Sequence, residues 1–212
     1  MKLIDITQTY EPGMKRYGSI ADFEYEWLRH YDKGSGMTIS RVTFTSHLGT
    51  HVDAPYHFLK TGRRVDEISL EILCGNVRVI DARGRKVITE QFLRKQETNC
   101  SRLIFLTDNT DMMAAKEEFE NVYFSPEACR YMTGCGVQLI GIDYFSVDAK
   151  GDKKRLAHMP LMQAGIVILE GLVLRDVEPG VYELWCLPLK FRKLEAAPCR
   201  AVLISPAFKE SS

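Results

Sequence analysis

The chain has 212 residues, enough for one domain with a sizeable buried core, and its 28 Lys and Arg balance 28 Asp and Glu to a formal net charge of zero. This balance provides no electrostatic field that would attract nucleic acid or an anionic membrane, and we expect neither partner. Polar residues interrupt the N-terminal MKLIDITQTY, and no apolar run approaches the roughly 20 residues of a membrane span. We therefore expect a single cytoplasmic domain over residues 1–212.

Short strands predominate among the predicted elements. We predict eight strands, over residues 2–7, 37–44, 76–81, 102–107, 137–142, 166–170, 181–188 and 200–204. Several are nearly continuous apolar runs, which indicates strands covered on both faces. We predict three helices, over residues 89–95, 125–133 and 159–164, and the second of these has Ser125 as its N-cap and Pro126 at its first position. The mixture predicts an α/β or α+β domain in which strands are in the majority.

Two basic stretches and the cysteines are interpreted as structural. The stretches 150-KGDKKR-155 and 190-KFRK-193 read as a solvated loop and an exposed turn, because the first lacks the Gly-rich turn of a phosphate site. The six cysteines form no C-x-x-C pair, and most of them read as small buried hydrophobic residues in a reducing compartment. A nucleophilic cysteine is the alternative, and it would need a histidine partner.

Eleven residues, 47-HLGTHVDAPYH-57, carry three of the five histidines of the chain. Gly49, Thr50 and Pro55 argue against a helix. If the segment is extended, its odd-numbered residues share one face, where Gly49 would leave a gap through which an ion or a substrate could approach the backbone. The candidate ligands on that face are His47, His51, Asp53 and His57. Neutral imidazole nitrogen and carboxylate oxygen are ligands that zinc and manganese prefer, so the pattern predicts a metal site.

Two later residues, His158 and Glu170, are further candidate metal ligands. His158 lies beside the start of the third predicted helix, where the helix dipole disfavours an imidazolium and keeps the ring neutral for coordination; a surface histidine near a cap is the alternative. Glu170 ends an apolar run, where a carboxylate is costly unless it is paired or bound to a metal. The alternative to metal binding by Glu170 is a structural salt bridge with Arg175. The intervening helix and strand could bring His158 and Glu170 to a common edge of the sheet.

Together these segments resemble the metal-dependent cyclase family, which includes bacterial kynurenine formamidase and isatin hydrolase. The resemblance rests on H-x-G-T-H-x-D-A-P-x-H at 47–57, 141-GIDYFSVD-148 and H-x-x-L-x-x-x-G-I-x-I-L-E at 158–170, and it extends to 3-LIDITQTYEPGM-14 and 57-HFLKTGRRVDEISLEILCG-75. It implies a swivelling β/β/α fold and a homo-oligomer, usually a dimer or a tetramer.

The resemblance also implies roles for individual residues. His47, His51 and Asp53 would hold one divalent ion, and Asp53 would bridge to a second position that is completed by three more residues. These three are His57, His158 and Glu170. His57 would also be the catalytic acid/base. Zinc is the expected metal, with manganese as the alternative, and one or two ions are expected.

The chain departs from the family pattern after the first strand. Kynurenine formamidase has a Trp-Pro-Gly-Asp stretch there, with a Trp that helps to hold the aromatic substrate, whereas this chain has 16-RYGSI-20. Tyr17 is the residue that can take the aromatic place, which makes it our candidate for substrate binding.

The leading functional hypothesis is a hydrolase that cleaves an amide, formamide or lactam C–N bond with metal-activated water. One alternative is a metal-dependent lyase, dehydratase or cyclase that uses the ion as a Lewis acid on a small carbonyl substrate. The other is a non-catalytic metal-binding sensor, although structural zinc sites are usually closed and rich in cysteine.

Overall fold

A computed structural model of the chain describes residues 2–18, 20–114 and 119–205. Twelve strands are found in these ranges: β1 Lys2–Asp5, β2 Glu24–Arg29, β3 Ile39–Thr43, β4 His51–Asp53, β5 Cys74–Asp81, β6 Val87–Ile88, β7 Arg102–Leu106, β8 Tyr123–Phe124, β9 Leu139–Ile142, β10 Val167–Glu170, β11 Gly180–Pro188 and β12 Ala196–Ser205. The α-helices there are α1 Leu70–Leu73, α2 Glu90–Leu93, α3 Asn109–Ala114, α4 Pro126–Gly134 and α5 His158–Gln163. None of the helices in the described ranges has the length and apolar character needed to cross a membrane.

Seven strands close into a barrel-like sheet. Their order is β12-β11-β5-β7-β9-β10-β4, and β4 pairs again with β12. The three strands β5, β7 and β9 run parallel, as do β9 and β10, and the remaining pairs of the ring are antiparallel. β1 pairs with the other end of β12. The prediction of a strand-rich α+β fold is confirmed.

Two apolar cores lie on the two faces of the parallel strands. Alternate residues of β7 show the division: Ile104 and Leu106 pack inside the barrel, whereas Leu103 and Phe105 pack against the helices outside. All five residues of β7 and all four of β9 and of β10 are buried, which confirms that the continuous apolar runs are covered on both faces. α2, α4 and α5 form the helical layer over this outer face.

The predicted elements are found with shifted ends, and several elements were missed. Thr89 and Ser125 cap α2 and α4 through their side chains, as the sequence indicated. The exposed hairpin β2–β3 was predicted only in its second strand, and α1, α3, β6 and β8 were not predicted. The segments 150–155 and 190–193 are largely exposed turns, as expected, although Phe191 in the second is partly buried against the barrel core.

The cysteine prediction holds for half of the residues. All six thiols are free, and Cys129, Cys186 and Cys199 are buried. The other three are only half-buried. Cys74 and Cys186 both lie in largely apolar stretches of the sequence, but only Cys186 is buried.

Candidate metal centre

The motif at 47–57 is not one extended strand. Only residues 51–53 form β4, which places His51 and Asp53 on the same side and Val52 in the barrel core. The residues before β4 are in a turn, in which Gly49 has a φ of 63°, and a 3-10 helix begins at Pro55. The prediction that all the odd-numbered residues share one face through strand alternation is therefore wrong.

The turns on both sides of β4 nevertheless bring His47 and His57 back to the side of His51. The ring centroids of His47 and His57 lie 4.2 Å apart, and those of His47 and His51 lie 5.0 Å apart. The 3-10 helix Pro55–His57 follows β4 after one residue and ends the extended path of the chain, and His57 at its end lies beside His47. The three histidines therefore converge through turns on both sides of a three-residue strand.

Gly49 does not leave space for an ion. A Cβ at this position would lie 2.8 Å from Cζ of Tyr10, whose hydroxyl donates to the main-chain oxygen of Leu48. The predicted gap is filled by this tyrosine ring. Glycine is required here for two reasons, the close approach of Tyr10 and the left-handed backbone.

His158 and Glu170 come from other elements and meet the motif. His158 is the first residue of α5 and is only 4% exposed, so the alternative of a surface histidine is wrong. Glu170 ends β10 directly opposite His51 in the antiparallel pair β10–β4. Its Oε1 accepts from the main-chain N–H of Val147 at 2.8 Å and lies 3.4 Å from Nε2 of His158. Arg175 lies instead 3.7 Å from Asp111, which removes it as the partner of Glu170.

Asp53 lies at the middle of the cluster. Its Oδ1 is 2.9 Å from Nδ1 of His47 and 3.3 Å from Nε2 of His51, and its Oδ2 is 3.7 Å from Nε2 of His158. Candidate ligand atoms lie within 4.8 Å of one another in two groups that share Asp53, one with His47 and His57 and one with His51 and Glu170. This grouping pairs the histidines differently from the division that the resemblance implied.

Four buried atoms of this cluster make no hydrogen bond of good geometry among the described residues, although ion-pair contacts of 2.9–3.7 Å join them to other members of the cluster. They are Nε2 of His51, Nε2 of His158 and both carboxylate oxygens of Asp53. Leaving such atoms unsatisfied costs free energy, since buried polar groups are almost always paired. Two nitrogens and two carboxylate oxygens directed at a common space fit a divalent cation with N and O ligands.

The carboxylates control the protonation of the buried histidines. Burial alone would lower the pKa of His51 and His158, but neighbouring carboxylates outweigh it and raise the pKa of both. Burial would likewise raise the pKa of Asp53, but the histidines around it hold that pKa well below its usual range. In the metal-free protein the carboxylates, rather than the start of the six-residue helix, therefore dominate the pKa of His158. A bound cation would displace these protons, so metal binding should weaken as the pH falls.

His57 is the exception among the clustered histidines. Burial is the largest influence on its ring and lowers its pKa, and the positive charges of His47 and His158 add to this effect. No hydrogen bond to its ring is found within the described part of the chain, whereas the other three rings each have an acceptor nearby. His57 therefore favours a neutral ring that is free to accept a proton.

The outer partners of the other histidines were missed by the sequence reasoning. Nδ1 of His51 lies 3.0 Å from the main-chain oxygen of Gly49, Nδ1 of His158 lies 2.6 Å from Asp148, and Nε2 of His47 lies 3.2 Å from Glu195. Asp148 ends the quoted motif 141–148 and could have been found from it. Glu195 precedes β12 in a stretch without a recognisable pattern, and only the pairing of β12 with β4 brings it to the site.

Tyr17 lies in an aromatic cleft of about 550 Å³, and its aromatic neighbours there are Phe119, Tyr144 and Phe145. Its ring meets that of Tyr144 edge-on at 6.4 Å. The main-chain oxygen of Tyr144 accepts from the N–H of Gly171, the residue after Glu170, which connects the cleft to the metal cluster through the backbone. Residue 19 of the stretch 16–20 lies outside the described residues. The fifth histidine, His30, caps the 3-10 helix Tyr31–Lys33, in a separate part of the chain.

Known proteins are similar to this chain in sequence, and solved structures are similar to it in fold. The Cyclase family model matches residues 4–149. The kynurenine formamidase of Salinibacter ruber is 34% identical over 208 residues, which are 96% of this chain and 97% of that protein. The kynurenine formamidase of Geobacillus thermodenitrificans is 36% identical over 202 residues, covering 94% and 96% of the two chains.

Solved structures agree with this result. A structure described as a potential metal-dependent hydrolase with cyclase activity superposes with a TM-score of 0.83 at 28% identity, over 97% of this chain and 99% of the other. Isatin hydrolase A from Labrenzia aggregata superposes with a TM-score of 0.85 at 23% identity, over 97% and 94% of the two chains, and shows the shared fold. Because the family model spans most of the chain and the relatives align over nearly their whole length, the protein belongs to the Cyclase family.

Proposed function

We propose that the protein is a metal-dependent hydrolase that cleaves the C–N bond of an amide, formamide or lactam, as an arylformamidase does. The observation that carries this proposal is the set of buried, unpartnered atoms on His51, Asp53 and His158. The related kynurenine formamidases support the choice of bond. The structural relative described as a metal-dependent hydrolase supports the use of a metal.

Six residues would hold one or two divalent ions. They are His47, His51, Asp53, His57, His158 and Glu170. Zinc suits this mixture of imidazole and carboxylate ligands, and manganese is the alternative. When bound, such an ion polarises a carbonyl group and lowers the pKa of water to about 7. The protein contributes a dry site with fixed ligand atoms: His51 and Asp53 are held by β4, and Glu170 is held by β10 and the N–H of Val147.

His57 is the residue that we assign to proton transfer. Its ring is free of hydrogen bonds within the described chain and its lowered pKa favours the neutral form, so the ring can accept the proton of the attacking water whenever it does not itself coordinate an ion. The same ring can then return this proton to the leaving nitrogen. Its position at the end of a 3-10 turn places it beside His47, on the half-buried side of the cluster.

The aromatic cleft around Tyr17 is our candidate for the substrate site. Aromatic side chains such as Tyr17, Phe119 and Phe145 favour an aromatic substrate through ring contacts and apolar burial. We assign Tyr17 to substrate binding on this basis. The Tyr17→Ala variant should raise KM for an aryl formamide more than for formamide itself, and an equal effect on both would remove this residue from the site.

We further propose a cytoplasmic homodimer or homotetramer. Every residue of the strands β2 and β3 is exposed, including Tyr25, Trp27 and Val42, and a two-stranded sheet is marginally stable by itself. Exposed apolar patches of this kind mark association surfaces. The six free thiols fit a reducing compartment. Light scattering of the wild type and of Trp27→Lys tests the oligomer, since a monomeric wild type would contradict it.

The decisive experiment joins metal content to turnover on one preparation. Purified protein is analysed for zinc and manganese, stripped with a chelator, and assayed before and after each metal is restored, on N-formylkynurenine, isatin and simple aryl formamides. We expect activity to disappear and return with the metal. His51→Ala should lose metal and activity together, whereas His30→Ala, outside the cluster, should lose neither. Metal binding without turnover of any substrate would favour the sensor, and elimination without hydrolysis would favour the lyase.

A further inference from the structure

The ring of His158 has two nitrogens with different surroundings. Nδ1 lies 2.6 Å from Oδ2 of Asp148. Nε2 lies 3.4 Å from Glu170 and 3.7 Å from Asp53 and has no hydrogen-bond partner among the described residues. A neutral imidazole carries its proton on one nitrogen and coordinates through the other, so the partner of Nδ1 decides whether Nε2 is available.

Hydrogen bonds hold both the carboxylate and the main chain of Asp148 in place. It is 1% exposed, and its Oδ1 accepts from the main-chain N–H groups of Ala157 at 2.7 Å and His158 at 3.3 Å. Its own N–H donates to Ser146, and its carbonyl accepts from the side chain of Asn121 at 2.9 Å. One carboxylate oxygen is therefore used by the backbone at the start of α5, and the other is directed at the imidazole.

We propose that Asp148 is a positioning residue that holds the proton of His158 on Nδ1 and thereby presents Nε2 to the metal ion. The proposal rests on the proposed function, since it requires that an ion binds beside His158. A carboxylate in this place also makes the imidazole a better electron donor to a cation than a neutral acceptor would. The ring of His51 has the same arrangement with a neutral acceptor in place of the carboxylate. Its Nδ1 faces the main-chain oxygen of Gly49, and its Nε2 is also unpartnered.

The Asp148→Asn variant separates positioning from capping. The amide oxygen can still accept from the N–H of Ala157, so the start of α5 keeps its cap. The amide NH₂ would occupy the place of Oδ2 and donate to Nδ1, which moves the ring proton to Nε2 and blocks coordination. We expect Zn²⁺ affinity at the position that includes His158 to fall roughly 10- to 100-fold.

Asp152→Asn is the matched control. Asp152 lies on the same loop and also accepts from two main-chain N–H groups, those of Lys154 and Leu156, but no histidine ring contacts it among the described residues. Zn²⁺ affinity is measured by competition with a chromophoric chelator, and Tm of the metal-free proteins reports the fold. In the His158→Gln background, Asp148→Asn should have no further effect on the remaining affinity. An equal loss of affinity in Asp152→Asn, or wild-type affinity in Asp148→Asn, would overturn the proposal.

A second measurement needs no variant of Asp148. In Zn²⁺-loaded wild-type protein labelled with ¹⁵N-histidine, long-range ¹H–¹⁵N spectra should show the His158 proton on Nδ1, with the signals assigned by comparison with His158→Gln. A proton on Nε2 would overturn the proposal even if Asp148→Asn did not fold. Wild-type protein that binds no Zn²⁺ would instead refute the proposed function, which keeps the two failures distinct.

Discussion

Replacing Asp143 by asparagine should remove a pH dependence that we expect in the stability of the fold. Asp143 is fully buried at the end of β9 and accepts hydrogen bonds from the main-chain N–H groups and the hydroxyls of Thr107 and Thr110, over 2.6–3.2 Å. All four donors are neutral. Burial raises the pKa of this carboxyl from its usual 3.8 to about 6, and the hydrogen bonds offset the effect only in part.

The sign and size of the effect follow from linkage. Between pH 4 and pH 6 the folded state keeps a proton on Asp143 that the unfolded chain has lost, so stability falls as the pH rises through this window. The total change corresponds to about 3 kcal/mol. Asparagine has nearly the same shape and stays neutral, and it can still accept from both main-chain N–H groups while its NH₂ faces the hydroxyl of Thr107.

Urea denaturation measures this contribution of Asp143 to the free energy of unfolding. It is carried out on the metal-free wild type and on metal-free Asp143→Asn at several pH values from 4.5 to 7.5. Subtracting the two free energies of unfolding removes the contribution of every other titrating group. We expect the difference to shift in favour of the variant by about 2 kcal/mol between pH 4.5 and pH 7.5, since part of the total change lies below this window. Parallel curves for the two proteins would refute the reasoning and place the pKa of Asp143 near its ordinary value.

Three further predictions concern the site. His57→Gln should keep bound metal but lose roughly 10²- to 10⁴-fold in kcat, the usual contribution of a positioned acid/base; full activity would contradict its role, and loss of all metal would make it a ligand only. In the wild type, kcat/KM should fall with decreasing pH as His57 becomes protonated, with a midpoint below the usual histidine value of 6.5 because its pKa is lowered, and a profile unchanged down to pH 5 would speak against it. Gly171→Ala should weaken Zn²⁺ binding and destabilise the fold. A non-glycine residue at its φ of 71° costs roughly 1–3 kcal/mol by itself. The total loss should exceed this cost, because the new Cβ would also overlap the main-chain oxygen of Gly49. Gly151→Ala, with a φ of 80° and open space around it, is the control, and an equal loss there would show that the contact with Gly49 is unimportant.

Local pattern was enough to predict most of the barrel strands. The segments that became β7 and β10 are apolar along their length, and this pattern has one stable interpretation in a small domain, a strand covered on both faces. The strand β2 was missed because all six of its residues are exposed and no buried face imposes an alternation on its sequence. α3 was missed because six residues are too few to establish a period, and its sequence lacks the proline in the first turn and the glycine just after the end that mark α5, a helix of the same length.

The candidate site was predictable in its residues but not in its geometry. The composition of 47–57 identified the histidines and Asp53, yet it favoured a continuous strand, whereas Gly49 and Pro55 break that strand at both ends. The approach of Glu195 depends on pairing between β4 and β12, which lie more than 140 residues apart in the sequence. No periodicity within either segment encodes such a contact.

The pairing of the three-residue strand β4 on both of its edges has a consequence for when the protein can retain a metal ion during its synthesis. β4 pairs on one edge with β10 and on the other with residues 196–198 of β12, so the barrel cannot close around it until those residues have been synthesised. During translation, the emerging chain carries His47, His51 and Asp53 long before it can enclose them. An ion captured at that stage would be held by the local motif alone, in contact with solvent. Firm retention of the metal should therefore begin only after the ribosome has released the last strand of the ring.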